Sequence, residues 1–262
     1  MERGLNDDGT IAREGALDRV PKAFAPVVAA TRAHISQSFS DTRLHSAYLY
    51  GSIPRGTAVP GVSDLDVQLA LHDEPTKADR ATATVIETAL DQAFPEISGA
   101  GILLSSTRTL LGTGTEDGGF WVACLCTPLL GPDLAEQLPR YRPTSRLARE
   151  INGDLGLLLP GWRTRAAAAH TNLKALSRSV SRHLVRTGFT LVMPRWGGWT
   201  SDLGASAELF GRYYPDRAGQ MRLAADIGRT PTTDPAVLQI LIDDLAPWLL
   251  GEYTAVHGAK DS

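Results

Sequence analysis

Two short apolar runs flank a loop, and the polar residues at the two ends of that loop constrain this chain most. The first run, residues 47–50, predicts a strand that stops at Gly51 and Ser52. The second run, residues 65–71, predicts a strand buried at its far end, and Asp64 and Asp66 lie at its start. Because side chains two apart on a strand point the same way, both carboxylates project from one face of the predicted sheet.

Two carboxylates that close repel each other unless a positive charge lies between them. Magnesium is the obvious partner, because it prefers oxygen ligands and keeps positions open for water and substrate phosphates. Two such ions can hold both the attacking and the leaving oxygens of an in-line displacement. Gly51 lets the backbone approach a phosphate closely, and backbone amides with the Ser52 hydroxyl can donate to its oxygens. The pattern therefore predicts a nucleotide site with two Mg²⁺ ions held by Asp64 and Asp66.

The stretch 50–67 resembles the nucleotidyltransferase superfamily, which includes the antibiotic nucleotidyltransferases and DNA polymerase beta. The signature of that superfamily is Gly-Ser, a loop, and Asp-x-Asp with apolar flanks. Arg55 with Gly56, and Ser63 before the first aspartate, look most like its small bacterial branch. That branch covers aminoglycoside and lincosamide adenylyltransferases and minimal nucleotidyltransferases.

The resemblance implies a metal-dependent enzyme that transfers a nucleoside monophosphate from a nucleoside triphosphate to a hydroxyl acceptor and releases pyrophosphate. The expected transfer is of AMP from ATP, although the motif itself does not choose the nucleotide. The expected acceptor is an aminoglycoside- or lincosamide-type small molecule, favoured over a protein or an RNA. The alternatives are a catalytically degenerate nucleotide-binding or antitoxin-like module, and a nucleotidyltransferase that modifies protein or tRNA.

The chain departs from the superfamily at one position. Relatives usually place a third carboxylate on a later strand, where it binds metal or takes the proton of the acceptor hydroxyl. The matching strand here, residues 101–105, contains no acid. Glu96, Glu116, Asp117 and Glu150 are the candidate replacements, and Asp117 is the predicted third catalytic residue beside Asp64 and Asp66.

The order of predicted elements is helix, strand, loop, strand, helix, strand, strand, with the last strand at 120–130, and the strand signal fades after residue 146. We therefore expect an α+β protein. A nucleotidyltransferase domain at 18–145, with a mixed sheet flanked by helices, precedes a mainly helical domain at 146–262. Residues 1–17 are expected to be flexible. Helices are predicted at 22–39, from 76 to Pro95, at 163–187 with Gly188 as C-cap, at 203–214 and at 235–253.

A basic helix is predicted in the second domain. No acid occurs between Leu155 and Ser201, while Lys174 and Arg178 begin a row of basic residues four apart. Such a row suggests an anionic partner, and pairing with first-domain acids such as Glu87 or Asp91 is an equal alternative. In the nucleotidyltransferase interpretation, the row would hold the triphosphate. The predicted nucleotide-binding residues are then Gly51, Ser52, Arg55, Ser63, Lys174 and Arg178.

Two further patterns have ordinary alternatives. Arg178-x4-His183 resembles the signature of HEPN ribonucleases, but Val180 stands where a polar residue is usual, and His183 is otherwise an ordinary interfacial histidine. Trp196 and Trp199 could stack on a ring of a ligand, although such pairs more often anchor a loop to the core.

The composition favours no macromolecular partner. Hydrophobic residues make up 43% and charged residues 21% of the chain, as in ordinary globular proteins, and the formal net charge of −3 exerts no overall attraction for nucleic acid. The start of the chain lacks the apolar run of a signal peptide, and no stretch approaches the ~20 apolar residues of a membrane helix. Cys124 and Cys126, too close along one predicted strand for a disulfide, indicate a reducing environment. We expect a cytoplasmic protein without a membrane partner.

Overall fold

The computed structural model describes residues 2–112 and 116–260, and the side chains of Glu116 and Asp117 lie outside that description. The chain forms two compact units. The sheet unit is Ala12–Tyr141, and the helical unit joins Met1–Ile11 to Arg142–Ser262. The functional division into a catalytic and a helical domain, and the flexibility expected for residues 1–17, remain predictions.

Four strands form the mixed sheet of the sheet unit: β1 (Leu44–Tyr50), β2 (Leu65–Leu71), β3 (Ala100–Ser106) and β4 (Thr127–Leu130). Their order in the sheet is β3-β2-β1-β4. β1 is antiparallel to both β2 and β4, whereas β2 and β3 are parallel. A parallel pair needs a long crossover, and the helix between β2 and β3 provides it. The helices are α1 (Ala25–Ser38), α2 (Ser52–Arg55), α3 (Lys77–Ala93), α4 (Thr107–Leu110) and α5 (Glu116–Phe120), with 3-10 turns at Leu17–Arg19, Lys22–Phe24 and Leu134–Gln137 and a π-helical turn at Trp121–Leu125.

The crossover helix α3 begins as the sequence predicted. The Thr76 hydroxyl accepts from the Asp79 backbone, and the Asp79 carboxylate accepts from the Thr76 backbone, which completes a capping box. Asp79 also accepts hydrogen bonds from Arg43, at 3.0 Å from Nε and 2.6 Å from Nη2. These bonds from the guanidinium hold the pKa of Asp79 well below its ordinary value. The cap of α3 is therefore tied to the segment just before β1.

The two faces of the sheet have different partners. Val67 and Leu69 of β2 belong to the main core, with side chains of α1 and α3. Tyr48 and Ala70 alternate with them and belong to a smaller cluster on the other face. The Tyr48 hydroxyl accepts the Leu134 backbone N–H at 2.8 Å, so its polar end is satisfied there. Asp66 is the one half-buried residue of β2, whereas Leu65 and every residue from Val67 to Leu71 are buried.

The strand predicted across 120–130 is wrong in its first half. Trp121–Leu125 forms a π-helical turn, and only Thr127–Leu130 is a strand. A short apolar run fits a buried helix as well as a strand, because both environments select the same residues. Cys124 and Cys126 are buried and form no disulfide, and burial raises the pKa of the Cys124 thiol to about 12.

The helical unit is built around one long central helix. This helix, Leu173–Trp196, packs against most of the other helices of its unit. Asn172 caps its start by accepting the Ala175 N–H at 3.0 Å. The helices are α6 (Ser145–Asn152), α7 (Leu155–Ala167), α8 (Leu173–Trp196), α9 (Leu203–Tyr213), α10 (Ala218–Arg229), α11 (Pro235–Ile240) and α12 (Ala246–His257), with a 3-10 turn at Pro215–Arg217 and a π-helical turn at Leu241–Leu245.

Gly188 does not end a helix, contrary to the prediction. It lies inside α8, and Gly197, with φ of 71°, is the C-cap instead. A Cβ at position 188 would collide with the Met221 side chain and approach Phe210 Cδ2 at 3.2 Å. Gly188 therefore permits close packing of α8 against α9 and α10, a reason that a one-dimensional pattern does not distinguish from a cap.

The architecture is α+β, with a mixed sheet flanked by helices and a helical C-terminal region, as predicted. Within the described residues, no helix combines the length and the apolar character needed to cross a membrane.

Candidate active site

Gly51 forms the turn at the end of β1. Its backbone has φ of 82° and ψ of −152°, a conformation that side-chain-bearing residues rarely adopt. A Cβ added there would lie 2.5 Å from Asp66 Oδ2. Glycine is thus required twice, by the turn and by the carboxylate that occupies the adjacent space.

Asp64 immediately precedes β2, and Asp66 is the second residue of that strand. Both are half-buried. Asp66 is in register with Tyr50 of β1 on one side and with Gly101 of β3 on the other. Residues in register share a face of the sheet, so Tyr50 and Gly101 flank this carboxylate.

Asp64 accepts a hydrogen bond that the sequence did not predict. The Ser98 hydroxyl lies 2.5 Å from Asp64 Oδ1 and 2.9 Å from the Val62 carbonyl oxygen. Ser98 N–H also donates to the Ser63 carbonyl at 3.0 Å. Ser98 precedes β3, and only the parallel register of β2 and β3 brings it to Asp64.

The loop between β1 and β2 begins with the single helical turn α2. Ser52 is its first residue, and Gly56, with φ of 78°, ends it. Arg55 Nε donates to the Gly51 carbonyl at 3.0 Å, and Arg55 Nη1 lies 3.7 Å from Glu14 Oε2. Arg55 therefore supports the turn that presents Ser52.

Ser63 shapes the other end of that loop. Its hydroxyl oxygen accepts the Val59 N–H at 2.9 Å. The Gly61 N–H donates to the Glu96 carbonyl at 2.8 Å, which fastens the loop to the turn before β3. The phosphate-binding roles of Ser52, Arg55 and Ser63 remain predictions.

The strand beside Asp66 leaves space where relatives are expected to carry a third acid. A Cβ added at Gly99 or Gly101 would meet no described atom within 4 Å. No group of three or more His, Cys, Asp or Glu arranged to hold a metal occurs within residues 2–112 and 116–260 as described. Asp117, the predicted third catalytic residue, has its side chain outside the described part of the structure.

Glu87 and Asp91, the acids named as alternative partners of the basic helix, have a local task. Glu87 Oε1 accepts the Ile102 N–H at 2.6 Å, and Asp91 Oδ1 accepts the Ala100 N–H at 2.7 Å. β3 is an edge strand, and these carboxylates cover its outward-facing amides.

An aromatic pair lies next to the carboxylates. The rings of Tyr50 and Trp121 meet edge to face, with centroids 4.6 Å apart. Trp121 begins the π-helical turn, and Tyr50 is in register with Asp66. The carboxylate face thus has an apolar wall on the β1 side and open space on the β3 side.

The predicted basic residues Lys174 and Arg178 both lie on α8 of the helical unit, and the Lys174 side chain is exposed. Other basic residues of this unit have local partners. Arg163 Nε donates to Asp243 Oδ1 at 3.1 Å, and Arg182 Nε donates to the Gly228 carbonyl at 3.0 Å. Part of the positive charge in the 155–201 interval is thus balanced by groups that lie later in the same unit.

His183 and the two tryptophans are packed within the helical unit. His183 Nε2 lies 3.2 Å from Asp154 Oδ1, and its ring meets Trp162 edge to face. Trp196 and Trp199 both contact Phe189 edge to face. Trp199 is 7% exposed, which supports the core-anchoring interpretation of this pair.

The donor set at Asp64 and Asp66 fits Mg²⁺. Magnesium is usually bound through one or two carboxylates, with water and substrate phosphates completing six positions. The Asp66 carboxylate fits into space that only a glycine at position 51 leaves open, so the Gly51 turn and the carboxylate adjoin. Two carboxylates and a tight backbone turn suit a metal–phosphate complex better than a metal bound by protein alone.

No protein-family profile matches the sequence, and no curated protein matches it. Among solved structures, the chain is similar to a spectinomycin adenyltransferase from Enterococcus faecialis, with a TM-score of 0.53 and 11% sequence identity. The match covers 87% of this chain and 98% of that one, a share larger than either unit alone. The chain therefore has the fold of this adenyltransferase, as the resemblance of its Gly-Ser and Asp-x-Asp motif predicted.

Proposed function

We propose that this protein transfers AMP from ATP to a hydroxyl group of a small-molecule acceptor and releases pyrophosphate. The observation that carries the proposal is the juxtaposition of the Gly51 turn with Asp66, beside Asp64, within the fold of an adenyltransferase. The acceptor oxygen forms a bond to the α-phosphorus, the bond from that phosphorus to the bridging oxygen breaks, and pyrophosphate leaves. The hydroxyl proton passes to a base.

Asp64 and Asp66 would hold two Mg²⁺ ions. When bound, these ions neutralise phosphate charge and orient the attacking and leaving oxygens. Both carboxylates are half-buried, so a substrate phosphate can reach them. Because the two residues are two apart along the chain, their carboxylates are expected to project from one face at a set spacing.

The glycine turn would hold the β- and γ-phosphates. Gly51 exposes its backbone, Ser52 supplies a hydroxyl, and Arg55 keeps the turn in place through the Gly51 carbonyl. Ser63 maintains the loop between the glycine turn and Asp64. From the sequence pattern alone, Lys174 and Arg178 stay predicted cationic partners of the triphosphate.

Asp117 is the proposed base. A carboxylate that takes the hydroxyl proton raises the rate by orders of magnitude. Asp117 lies in α5, five residues after Gly112 and four residues before Trp121. The Trp121 ring contacts Tyr50, which is in register with Asp66. This contact supports the proposal that Asp117 acts at the site.

A small-molecule acceptor is supported by the structural neighbour, which was solved with ATP and spectinomycin. The apolar wall of Tyr50 and Trp121 suits a ring-bearing acceptor. The net charge of −3 gives no overall attraction to an RNA acceptor.

A second candidate function is nucleotide binding without turnover. The space over Gly99 and Gly101, where a third carboxylate would lie, favours it. Such a protein would bind ATP and Mg²⁺ at the same residues and act through the bound state.

Pyrophosphate release from ATP against a panel of hydroxylated small molecules tests the proposal, together with binding of a non-hydrolysable ATP analogue. We expect release with at least one acceptor and its loss in Asp64→Asn and Asp66→Asn variants. Asp41→Asn, an exposed aspartate of the same unit, is the matched control. Full activity in the Asp64→Asn/Asp66→Asn double variant would refute the proposal, and tight analogue binding without release would favour the second candidate.

A further inference from the structure

The turn that precedes β3 is fastened to the start of β2 by several hydrogen bonds. Gly61 N–H donates to the Glu96 carbonyl at 2.8 Å, and Ser98 N–H donates to the Ser63 carbonyl at 3.0 Å. Leu65 N–H donates to the Gly99 carbonyl at 2.8 Å. These backbone bonds hold the 96–99 turn against Asp64 whatever side chain occupies position 98.

The Ser98 hydroxyl adds one contact that the backbone bonds do not require. It has a single proton and two acceptors, Asp64 Oδ1 at 2.5 Å and the Val62 carbonyl at 2.9 Å. A hydroxyl bound to a carboxylate is charge-assisted, shorter and stronger than one bound to a neutral carbonyl. The shorter distance to Asp64 agrees with that preference.

We infer that Ser98 is a positioning residue for Asp64 in the metal site. This inference rests on the proposed function. A carboxylate on a strand can rotate about its terminal bond, and each orientation presents its oxygens differently to an ion. The Ser98 hydroxyl fixes Oδ1 and so sets the direction of the other oxygen. Groups that orient a metal ligand in this way usually affect metal affinity by about 10- to 100-fold.

The position of Ser98 also explains how the site is held without a third acid on β3. Ser98 lies one residue before Gly99 and three before Gly101, the two positions with open space beside the carboxylates. The chain thus places a hydroxyl that contacts Asp64 where the neighbouring strand begins, and leaves the adjacent positions without side chains. The residues before β3 thus orient a carboxylate of the site, and β3 adds no carboxylate of its own.

Titration of the full chain with Mn²⁺ alone tests this inference. Binding is measured as the loss of the electron paramagnetic resonance signal of the free ion. We expect Ser98→Ala to weaken Mn²⁺ binding by about tenfold. Ser98→Thr, which keeps the hydroxyl, should bind within about twofold of the wild type, and Thr88→Ala, an exposed hydroxyl on α3, should not change binding.

A double-mutant cycle on the stability of the metal-free protein shows whether the Ser98 hydroxyl acts mainly on Asp64 or on the Val62 carbonyl. If the hydroxyl acts on Asp64, Ser98→Ala should change the melting temperature less in an Asp64→Ala background than in the wild type. An equal change in both backgrounds, with unaltered Mn²⁺ affinity, would assign the hydroxyl to the loop and overturn the inference. If the wild type binds Mn²⁺ and Ser98→Ala binds equally well, this inference alone fails. If the wild type binds no Mn²⁺, the proposed metal site fails with it.

Discussion

The carboxylate of Asp66 occupies the space that a Cβ at position 51 would need, with Oδ2 only 2.5 Å from that point. Gly51 also has a φ of 82°, so conformation and space select glycine independently. The turn after β1 and the acid on β2 are therefore parts of one arrangement.

Gly51→Ala should disrupt the site. The added methyl strains the turn by about 1–3 kcal/mol and pushes the Asp66 carboxylate aside. We expect lower stability in urea and loss of Mn²⁺ and nucleotide-analogue binding. Gly61→Ala is the matched control, because Gly61 also has a positive φ of 73°, yet its Cβ would meet no described atom within 4 Å. It should cost stability alone, and equal binding losses in both variants would contradict this explanation.

Gly101→Glu should partly replace a missing base. Asp117→Asn is expected to lower turnover by about 100-fold, as for loss of a general base. Adding Gly101→Glu to that variant places a carboxylate beside Asp66, in space that is open in the described structure. Turnover should recover by about tenfold, with a rising limb in the pH–rate profile. Gly101→Gln, equal in size and uncharged, should give no recovery, and an Asp117→Asn enzyme of full activity would exclude Asp117 as the base.

Asp79→Asn should lose stability in a pH-dependent manner. Hydrogen bonds from Arg43 lower the pKa of Asp79, so its stabilising contribution is complete above its unfolded pKa, near 3.9, and declines as pH falls through the folded value. At pH 7 the variant should be about 2 kcal/mol less stable, below the cost for a fully buried pair because Arg43 is partly exposed. The difference from wild type should shrink as pH falls below about 4.

Urea denaturation at pH 7 and at acidic pH checks the Asp79 prediction. The control is Asp73→Asn, since Asp73 is 85% exposed and lies 3.7 Å from Arg43. It should cost less than about 1 kcal/mol, as exposed pairs do. A constant difference between wild type and Asp79→Asn at all pH values would show that the charge of Asp79 does not contribute.

Gly188→Leu should destabilise the helical unit. Its side chain would press on Met221 and Phe210 where α8 packs against its neighbours, at a cost of about 3 kcal/mol. Gly161→Leu on α7 provides the comparison, because a Cβ there meets no described atom within 4 Å. That variant should gain about 0.5 kcal/mol from helix propensity. Thermal unfolding monitored by circular dichroism distinguishes the two, and equal effects would exclude packing as the reason for Gly188.

Local patterns determined much of the fold. The second strand was predicted within its observed bounds, and the Thr76–Asp79 capping box defined the start of α3. Such features depend on side chains a few residues apart, so the sequence specifies them directly. The turn at Gly51 was also predicted from local residues, whereas the shared face of Asp64 and Asp66 stays a prediction from their spacing.

The sequence predictions that were wrong lie where one local residue pattern is compatible with two different structures. The apolar run before β4 satisfies a buried π-helical turn as well as a strand. Gly188 satisfies helix packing as well as a helix end, and only the neighbours Met221 and Phe210 show which applies.

The sequence by itself determined the carboxylate pair, the glycine turn and the α+β class, because each depends on short spacings along the chain. Only the tertiary structure decided what surrounds the pair. Ser98 reaches Asp64 across 34 residues, and Gly101 lies beside Asp66, because β2 and β3 pair in parallel with one particular register. That register depends on how α3, the connection between the two strands, packs against the sheet, a long-range constraint that no local spacing encodes.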